Sequence, residues 1–373
     1  MRLNDDGRVI VAMSGGVDSS VAAALLVEAG RDVAGITMDL FAPGEWTGRA
    51  KEAVAGLERN AARDAARVAA ALGIRHVTVD LHAAFERAVV SDFCREYARG
   101  RTPNPCVRCN RLVKFDLLWR KARRLGAVRL ATGHHARVAY DRSRRRVLLK
   151  KGLDAAKDQS YFLYGLTQDQ LSRTLFPVGG LTKAEVRRAA ARLGLGRGLA
   201  ARPESQEVCF IPGRDYARFL GERIPDAFRP GPIVDRRGQT IGTHQGIIHF
   251  TVGQRRGMGV SGPHAYYVVS LDPDTNTVVL GRDEDLRRRR IRVVDVNWIA
   301  NEKLTRTRRA FVKIRYRHRE AAARIRPLAG GEVIVEFETP QRAVTPGQAA
   351  VFYDGDVVLG GGTIEAALDE NGS

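Results

Sequence analysis

Near the start of the chain runs Val9-Ile10-Val11-Ala12-Met13-Ser14-Gly15-Gly16-Val17-Asp18-Ser19-Ser20, a short apolar segment followed by a polar turn. Its β-branched residues predict a buried strand, and Ser14-Gly15-Gly16 predicts a tight turn. From Asp18 onward the apolar residues fall at helical spacing as far as Gly30. The backbone N–H groups at such a helix start are unpaired, and the helix dipole favours negative charge there. The segment therefore predicts an anion site, and the alternative is a plain glycine turn capped by serine or aspartate.

A nucleotide phosphate is the anion that best suits this turn. Gly15 and Gly16 let the backbone approach it, and Ser14, Ser19 and Ser20 would add hydroxyl donors. An aspartate among phosphate-binding groups makes sense if Asp18 helps to hold Mg²⁺. No lysine follows the glycines, so the turn differs from the phosphate loop of ordinary ATPases.

The first part of the chain alternates between strand and helix patterns. Further strands are predicted at 32–38, 76–81 and 128–133, and helices at 61–72, 85–97 and 114–125. The run 161–195 is predicted to be helical, with Thr182 and Glu185 as a capping box. This alternation predicts an α/β domain with a doubly wound parallel sheet. Because Ser14, Met38 and Gly133 follow three of its strands, a nucleotide would lie over their carboxyl ends.

Beyond residue 213 the pattern changes to short alternating runs broken by Gly and Pro. Strands are predicted at 231–234, 246–250, 266–269, 292–296, 310–316, 332–337 and 349–353. This spacing predicts a small β-rich central domain and a C-terminal antiparallel β-barrel. The expected limits are 1–212, 213–287 and 288–373, with Arg287–Arg290 as a solvated linker or a phosphate contact.

Composition restricts the partners. The 373 residues carry a formal net charge of +19, which favours nucleic acid, although a GC-rich genome would add arginines for other reasons. No segment approaches the roughly 18 apolar residues of a membrane span, and no signal-peptide pattern is present at the start. We therefore expect a cytoplasmic protein without membrane contact.

Two stretches carry cysteines in polar surroundings. Cys106-x-x-Cys109 lies within Gly100–Asn110, where two prolines and Asn104 predict an extended, rigid loop. Nearby Arg108, Arg111 and Lys114 would favour thiolates. A structural zinc site is the alternative, but no second cysteine pair or spaced histidine pair completes one. Cys209 is either a small core residue or a reactive thiol, and Cys94 falls on a helical core face.

Several motifs resemble known families. The turn at Ser14 is similar to the pyrophosphate-binding loop (PP-loop) of the N-type ATP pyrophosphatases, which split ATP into AMP and pyrophosphate while adenylating a substrate oxygen. The chain as a whole resembles the bacterial tRNA-specific 2-thiouridylases (the MnmA/TrmU family) over nearly its full length. This resemblance rests on six motifs in family order: Ala12–Ser20, Gly100–Asn110, Leu130–His134, Lys157–Leu163, Ser205–Ile211 and Thr251–Gly257.

The resemblance implies an ATP-dependent tRNA sulfurtransferase that adenylates O2 of the wobble uridine and replaces it with sulfur to give 2-thiouridine. Cys209 would carry a persulfide, and Cys109 would release its sulfur and form a disulfide with it. The resemblance places ATP on Ala12, Met13, Ser14, Gly15, Gly16, Val17, Asp18, Ser19, Met38 and Gly133. It places the target base on Asn104, Pro105 and Cys106, and tRNA on His134, Lys157, Asp158, Gln159, Arg315, Tyr316 and Gln348. The partners implied are the tRNA anticodon stem-loop and a sulfur-relay donor or cysteine desulfurase, and a monomer is expected.

Cys106 departs from the family pattern, in which an aspartate is more usual. Cys106, Cys109 and Cys209 could therefore hold a [4Fe–4S] cluster as the sulfur carrier. Two further alternatives stay open. One is a PP-loop ligase resembling GMP or NAD synthetase, and the other is an RNA-binding protein that keeps ATP as a structural ligand.

Overall fold

The structure is a computed structural model, and it describes residues 7–41, 48–195, 208–211, 215–262 and 264–368. Residues 205–207 of the fifth motif lie outside the described residues. The first domain contains a five-stranded sheet in the order β3-β2-β1-β4-β7, in which every pairing is parallel. Its strands are β1 (Arg8–Ala12), β2 (Val33–Asp39), β3 (Arg75–Asp80), β4 (Ala127–Thr132) and β7 (Thr174–Leu175). The predicted parallel sheet is confirmed, and the carboxyl ends of β1 and β4 lie side by side at the point where the strand order reverses.

Helices cover both faces of this sheet. They are α1 (Val17–Glu28), α2 (Gly48–Ala71), α3 (His82–Phe85, Glu86–Val90 and Ser91–Ala98), α4 (Pro105–Arg108, Cys109–Leu118 and Trp119–Arg124), α5 (Gln168–Ser172) and α6 (Lys183–Arg192). In α3 and α4 the middle segment has the wider i→i+5 turns of a π-helix. Alternate residues of β1 pack into the two cores: Ile10 faces one, and Val9 and Val11 face the other.

Two helix predictions were wrong in part. The run 161–195 contains α5, β7 and α6 with turns between them rather than one helical region, although the capping box of Thr182 and Glu185 is present. The second error concerns Pro105, where an extended loop was predicted and α4 begins. Pro105 occupies the first helical position, where its missing N–H removes no bond, and the Asn104 side chain accepts from the Val107 N–H at 3.4 Å.

The central domain contains α7 (Tyr216–Arg223) and a four-stranded sheet in the order β10-β11-β8-β9. Its strands are β8 (Gly231–Val234), β9 (Thr240–His244), β10 (Tyr267–Asp272) and β11 (Thr277–Gly281). The strand predicted at 246–250 is instead a short 3₁₀ turn, Ile247–His249. Gly246 before it has a φ of 144°, which breaks the extended pattern.

The C-terminal strands close into a six-stranded antiparallel barrel, because β12 pairs with both β15 and β17. The strands are β12 (Arg287–Trp298), β13 (Arg308–Lys313), β14 (Ala321–Pro327), β15 (Val333–Arg342), β16 (Ala349–Asp354) and β17 (Val357–Leu368). Arg287–Arg290 is part of β12, so its prediction as a linker was wrong. Its backbone pairs with β15 while its charged side chains reach solvent on the outside of the barrel.

A hairpin of the first domain joins this barrel. This hairpin consists of β5 (Ala136–Asp141) and β6 (Arg146–Lys151), neither of which was predicted from the sequence. It extends the barrel sheet through a pairing of Lys150 with Val357. The Asp356 carboxylate lies 3.0 Å from both Arg137 and Lys150. The hairpin therefore ties the first domain to the barrel beside the carboxyl edge of the parallel sheet. Among the described residues, no helix is both long enough and apolar enough to span a membrane.

Candidate active site

The turn between β1 and α1 is shaped by two close backbone approaches. Gly15 has a φ of +71°, and a Cβ there would lie 2.5 Å from the carbonyl oxygen of Ala61 on α2. Gly133, just after β4, lies against the first turn of α1, where a Cβ would be 2.5 Å from the Ser19 nitrogen. Glycine is required at both positions. The helix start therefore lies against the end of β4, with no side-chain cap on its first turn.

Two of the three serine hydroxyls near the turn form hydrogen bonds with the backbone of the turn. The Ser19 hydroxyl accepts from the Ser14 N–H at 3.1 Å and donates to the Gly16 carbonyl at 3.0 Å. The Ser20 hydroxyl also donates to Gly16, at 2.9 Å. Both serines are buried and donate within the turn, whereas the Ser14 hydroxyl is exposed and lies 3.3 Å from the Ser19 hydroxyl. Met13 is buried too, with its N–H bonded to Ile36 and its carbonyl to Thr37.

Asp18, in the first turn of α1, is held by two side chains from elsewhere in the chain. The Lys183 Nζ lies 2.6 and 2.7 Å from its two carboxylate oxygens, and the His135 Nε2 lies 3.2 Å from Oδ1. Burial raises the pKa of Asp18, but the bonds from His135 and Lys183 outweigh it, so that pKa falls below its ordinary value. The carboxylate is ionised at neutral pH, as a Mg²⁺ ligand must be.

Sequence reasoning missed Lys183. It is the first residue of α6, 165 residues beyond Asp18 and 8% exposed, and its N–H donates to Asp154 at 3.0 Å. The capping box indicated where the helix begins, but no spacing in the sequence connected that helix to the turn. The cation that the turn lacks in its own sequence is thus supplied by α6.

A pocket of about 1420 Å³ opens beside Asp18, between the first domain and the barrel loop 314–320. Its lining is rich in cations: Lys114, Lys151, Lys157, Lys183, Lys313, Arg317 and Arg319. The acidic residues that line it are Asp18, Asp158 and Glu320. A pocket with this excess of positive charge suits a polyanion such as a nucleotide or a nucleic acid loop.

The same pocket is lined by Cys106, and two further cysteines lie near its wall. Cys106 and Cys109 lie one turn apart on α4, with Cys106 exposed in the pocket and Cys109 buried behind it. Cys209 is exposed, and its neighbour Val208 lines the pocket. The next residue, Phe210, fixes this segment because its ring packs edge-on against Phe85 and Phe93 at 5.6 and 5.2 Å. Cys209 and Cys109, a hundred residues apart in sequence, are therefore brought to one place.

The thiols are less acidic than the sequence predicted. Burial raises the pKa of Cys109 to about 11, and the surrounding protein atoms also raise the pKa of Cys106 and, most strongly, of Cys209. Lys114 lowers the pKa of all three, whereas Arg108 is bonded to Asp92 at 2.9 Å. In the π-helical segment the residue five positions after Cys109 returns to the same face, which brings Lys114 to the thiols. The sequence indicated Lys114 only as one of several nearby cations. No sequence pattern predicted the π-helical turn that brings its side chain to the thiols.

The cysteines do not form a ready-made metal site. Among the described residues, no group of three or more His, Cys, Asp or Glu side chains is arranged to hold a metal ion. This arrangement therefore gives no support to a [4Fe–4S] cluster held by Cys106, Cys109 and Cys209.

The residues assigned to tRNA by resemblance divide into two groups. Those that line the pocket are His134, Lys157, Asp158, Gln159 and Tyr316. Arg315 and Gln348 instead brace the pocket walls: the Arg315 guanidinium donates to the Ala343 carbonyl at 3.3 Å, and the Gln348 amide donates to the Thr102 carbonyl at 2.9 Å. The Asp158 carboxylate accepts from the Gly152 and Ser160 N–H groups, both at 3.0 Å, and so shapes its own loop.

His134 is an uncharged part of the pocket wall. Its ring lies 6.0 Å from the rings of both Phe115 and Phe176, and its Nδ1 lies 2.8 Å from the Thr132 hydroxyl. Burial, and then the charges of Lys114 and His135, hold the pKa of His134 well below its ordinary value. Any contact that it makes with a nucleotide is therefore a neutral one.

Comparison with known proteins gives matches along almost the whole chain. Residues 7–213 match a family model described as "tRNA methyl transferase HUP domain". Residues 217–282 match a "tRNA methyl transferase PRC-barrel domain", and residues 288–364 match an "Aminomethyltransferase beta-barrel domain". The three matches follow the order of the parallel-sheet domain, the central domain and the barrel.

Curated relatives extend this result. The tRNA-specific 2-thiouridylase MnmA of Heliobacterium modesticaldum is 52% identical over 97% of this chain and 93% of its own length. That of Symbiobacterium thermophilum is 50% identical over the same shares. Among solved structures, a 4-thiouridine synthetase in complex with RNA and ATP has a TM-score of 0.34 at 18% identity, covering 59% of this chain and 51% of its own. At the identity and coverage of the curated relatives, the chain belongs to the tRNA-specific 2-thiouridylase (MnmA) family, as its motifs predict.

Proposed function

We propose that this chain is an ATP-dependent tRNA sulfurtransferase that converts the wobble uridine of tRNA into 2-thiouridine, releasing AMP and pyrophosphate. One observation carries the proposal: a single pocket is lined both by Asp18 of the PP-loop with its partner Lys183 and by Cys106 with Val208, the neighbour of Cys209. ATP activates O2 of the base, and sulfur must attack C2, the carbon that carries this oxygen. A shared pocket allows both without release of the activated base.

The ATP end is suited to binding a triphosphate. Asp18 would hold Mg²⁺, which neutralises charge on the leaving pyrophosphate. The ammonium of Lys183, which pairs with Asp18, would move to the phosphates when that carboxylate takes the metal. The buried His135 Nδ1 has no hydrogen-bond partner among the described residues, which leaves one polar atom available to a ligand here. Ala12, Ser14–Ser19, Met38 and Gly133 would surround the nucleotide through backbone and surface contacts.

The cysteine end is suited to sulfur transfer. In the proposed reaction, a persulfide on Cys209 is attacked at its inner sulfur by the Cys109 thiolate. A Cys109–Cys209 disulfide forms and hydrosulfide leaves, attacks C2 of the adenylated base and displaces AMP. We favour this persulfide route over a [4Fe–4S] cluster, because it requires no cofactor beyond ATP and Mg²⁺.

The tRNA would present a base that is turned out of its anticodon loop, since the reacting atom must reach the pocket. Asn104, Pro105 and Cys106, at the start of α4, would contact that base. His134, Lys157–Gln159 and Tyr316 line its approach, while Arg315 and Gln348 hold the walls. The cations of the barrel would contact phosphates and set position rather than sequence.

We also propose that the chain acts in the cytoplasm as a monomer, and that a sulfur-relay protein or a cysteine desulfurase loads Cys209. The described cysteines are free thiols, which fits a reducing compartment. For the domain limits we propose 1–212, 213–287 and 288–373, and the three family matches support them.

The test is release of AMP and pyrophosphate by the purified protein. With ATP, Mg²⁺, a sulfur donor and unmodified tRNA we expect release that depends on tRNA and is lost in Asp18→Ala, with tRNA affinity kept within a few-fold. Release with small acceptors such as xanthosine monophosphate or deamido-NAD, but not with tRNA, would instead favour a synthetase-like ligase. No AMP with any tRNA would favour an RNA-binding protein that keeps ATP as a structural ligand.

A further inference from the structure

Cys106 is the one thiol of the pocket that the proposed sulfur transfer does not use. We propose that Cys106 is a resolving thiol, which opens the Cys109–Cys209 disulfide after each transfer by forming a Cys106–Cys109 disulfide. This inference rests on the proposed function and adds a step to it. The step releases Cys209, the sulfur carrier, while Cys109 is still oxidised.

The position of Cys106 on α4 makes this exchange geometrically feasible. Cys106 and Cys109 belong to consecutive segments of one helix and are three residues apart. A helix places the Cα atoms of such residues about 5 Å apart, which is within the 4.4–6.8 Å range for disulfides. The two thiols can therefore bond with only a local adjustment of the first turn.

The third thiol, Cys209, lies beside the same pocket, because its neighbour Val208 lines that pocket together with Cys106 and Lys114. A thiolate on either Cys106 or Cys109 raises the pKa of Cys209, so the charges of all three sulfurs act on one another. The packing of Phe210 against α3 holds Cys209 in this position independently of any disulfide. Lys114, whose charge reaches all three thiols, favours whichever sulfur is a thiolate at a given moment. A cluster of three thiols around one ammonium is an arrangement in which a disulfide can migrate.

The release of Cys209 gives the exchange its direction, because Cys106 and Cys209 are both exposed and exposure alone does not distinguish the two disulfides. Cys109 is 8% exposed and has no direct access to a large reductant, whereas Cys106 opens into the pocket. A Cys106–Cys109 disulfide therefore offers a sulfur that a dithiol reductant can attack. At the same time the exposed Cys209 becomes available to its sulfur donor, so that reduction and reloading can proceed in parallel.

The step is balanced without an oxidant. The Cys106 thiol loses its proton and its sulfur attacks the Cys109 sulfur, so the Cys109–Cys209 bond breaks and Cys209 leaves as a thiolate that takes up a proton. One disulfide is replaced by another, and no net electrons are transferred. A dithiol reductant then opens the Cys106–Cys109 bond and is itself oxidised to a disulfide.

The test is disulfide mapping after one turnover. Protein loaded with persulfide on Cys209 is mixed with ATP, Mg²⁺ and tRNA without a reductant, quenched in acid with an alkylating agent, digested and mapped by mass spectrometry. For the wild-type chain we expect a Cys106–Cys109 bond and an alkylated Cys209. In Cys106→Ser the bond should remain between Cys109 and Cys209, and the matched control Cys94→Ala, which removes a buried thiol, should behave as wild type.

A kinetic readout accompanies the map. With a dithiol reductant and a sulfur donor present, the ratio of the multiple-turnover rate to the single-turnover rate should fall at least tenfold in Cys106→Ser, whatever that variant's single-turnover rate is. A wild-type protein that thiolates tRNA and keeps only the Cys109–Cys209 bond would overturn the role of Cys106. A wild-type protein that makes no 2-thiouridine and no disulfide would overturn the proposed function itself, so the two failures are distinguishable.

Discussion

Gly133 offers the sharpest test of how the nucleotide site is built. The backbone of Gly133 does not have a positive φ, so glycine is required there only because a Cβ would not fit. In Gly133→Ala the new Cβ would lie 2.5 Å from the Ser19 nitrogen, 2.6 Å from the Asp18 carbonyl carbon and 2.9 Å from the Ser19 Cα. These are backbone atoms of the first turn of α1, which cannot move aside as a flexible side chain can. The turn must therefore retreat by most of an ångström to restore ordinary contact.

This displacement sets the size of the expected losses in stability and in reaction rate. Overpacking of this kind destabilises a domain by about 1–3 kcal/mol, and a shift of roughly 1 Å in a positioning element can lower a rate about a hundredfold. We expect Gly133→Ala to form AMP about a hundredfold more slowly at saturating tRNA, with tRNA affinity unchanged within a few-fold. The assay is tRNA-dependent AMP release, with the melting temperature measured in parallel.

The matched control is Gly180→Ala. Gly180 is exposed and has nothing within 4 Å of the added Cβ, so rate and melting temperature should stay at wild-type values. AMP formation at the wild-type rate by a folded Gly133→Ala protein would refute the reasoning that the end of β4 fixes the PP-loop.

Three further predictions concern charge. Lys183→Met should reduce AMP formation on the order of a hundredfold, as loss of one preorganised charge does, while leaving tRNA affinity near the wild-type value; a loss of affinity with an intact rate would place Lys183 in tRNA binding instead. Because the pKa of His134 is lowered in the folded protein, the unfolded state binds a proton first as the pH falls below about 6.5. Denaturant titrations should therefore show His134 adding up to about 1.4 kcal/mol per pH unit to the fall in wild-type stability below that value, and a slope shallower by that contribution in His134→Asn; equal slopes would contradict the buried neutral imidazole. Binding of tRNA should weaken steeply with salt, since counterion release scales with the number of phosphates neutralised, and a nearly flat dependence would make the net charge of +19 incidental to binding.

The parts of the fold that could be predicted from sequence are those fixed by local rules. β1, the glycine turn and α1 follow from adjacent residues whose hydrophobic period changes from strand to helix. The capping box of Thr182 and Glu185 is equally local and was found at its predicted place. The same rules failed at Pro105, where two prolines suggested an extended loop although proline is well accommodated in the first turn of a helix.

The parts that escaped prediction depend on tertiary contacts. The β5–β6 hairpin forms strands because it pairs with the barrel, and its own residues alternate weakly between buried and exposed faces. The pairing of Lys183 with Asp18 joins positions 165 residues apart, and no spacing encodes it. The acidity of the cysteines was misjudged for the same reason: neighbouring cations are visible in the sequence, but the burial that outweighs them is not.

The central claim is tested most directly by nucleoside mass analysis of tRNA treated with the purified protein. Unmodified tRNA is incubated with ATP, Mg²⁺ and protein carrying a persulfide on Cys209, and then digested to nucleosides. The account predicts 2-thiouridine at the wobble position that requires ATP and is absent with Cys109→Ser or Cys209→Ser, although both variants still adenylate the tRNA and release pyrophosphate. Wild-type levels of 2-thiouridine from either serine variant with the same sulfur donor would contradict the account.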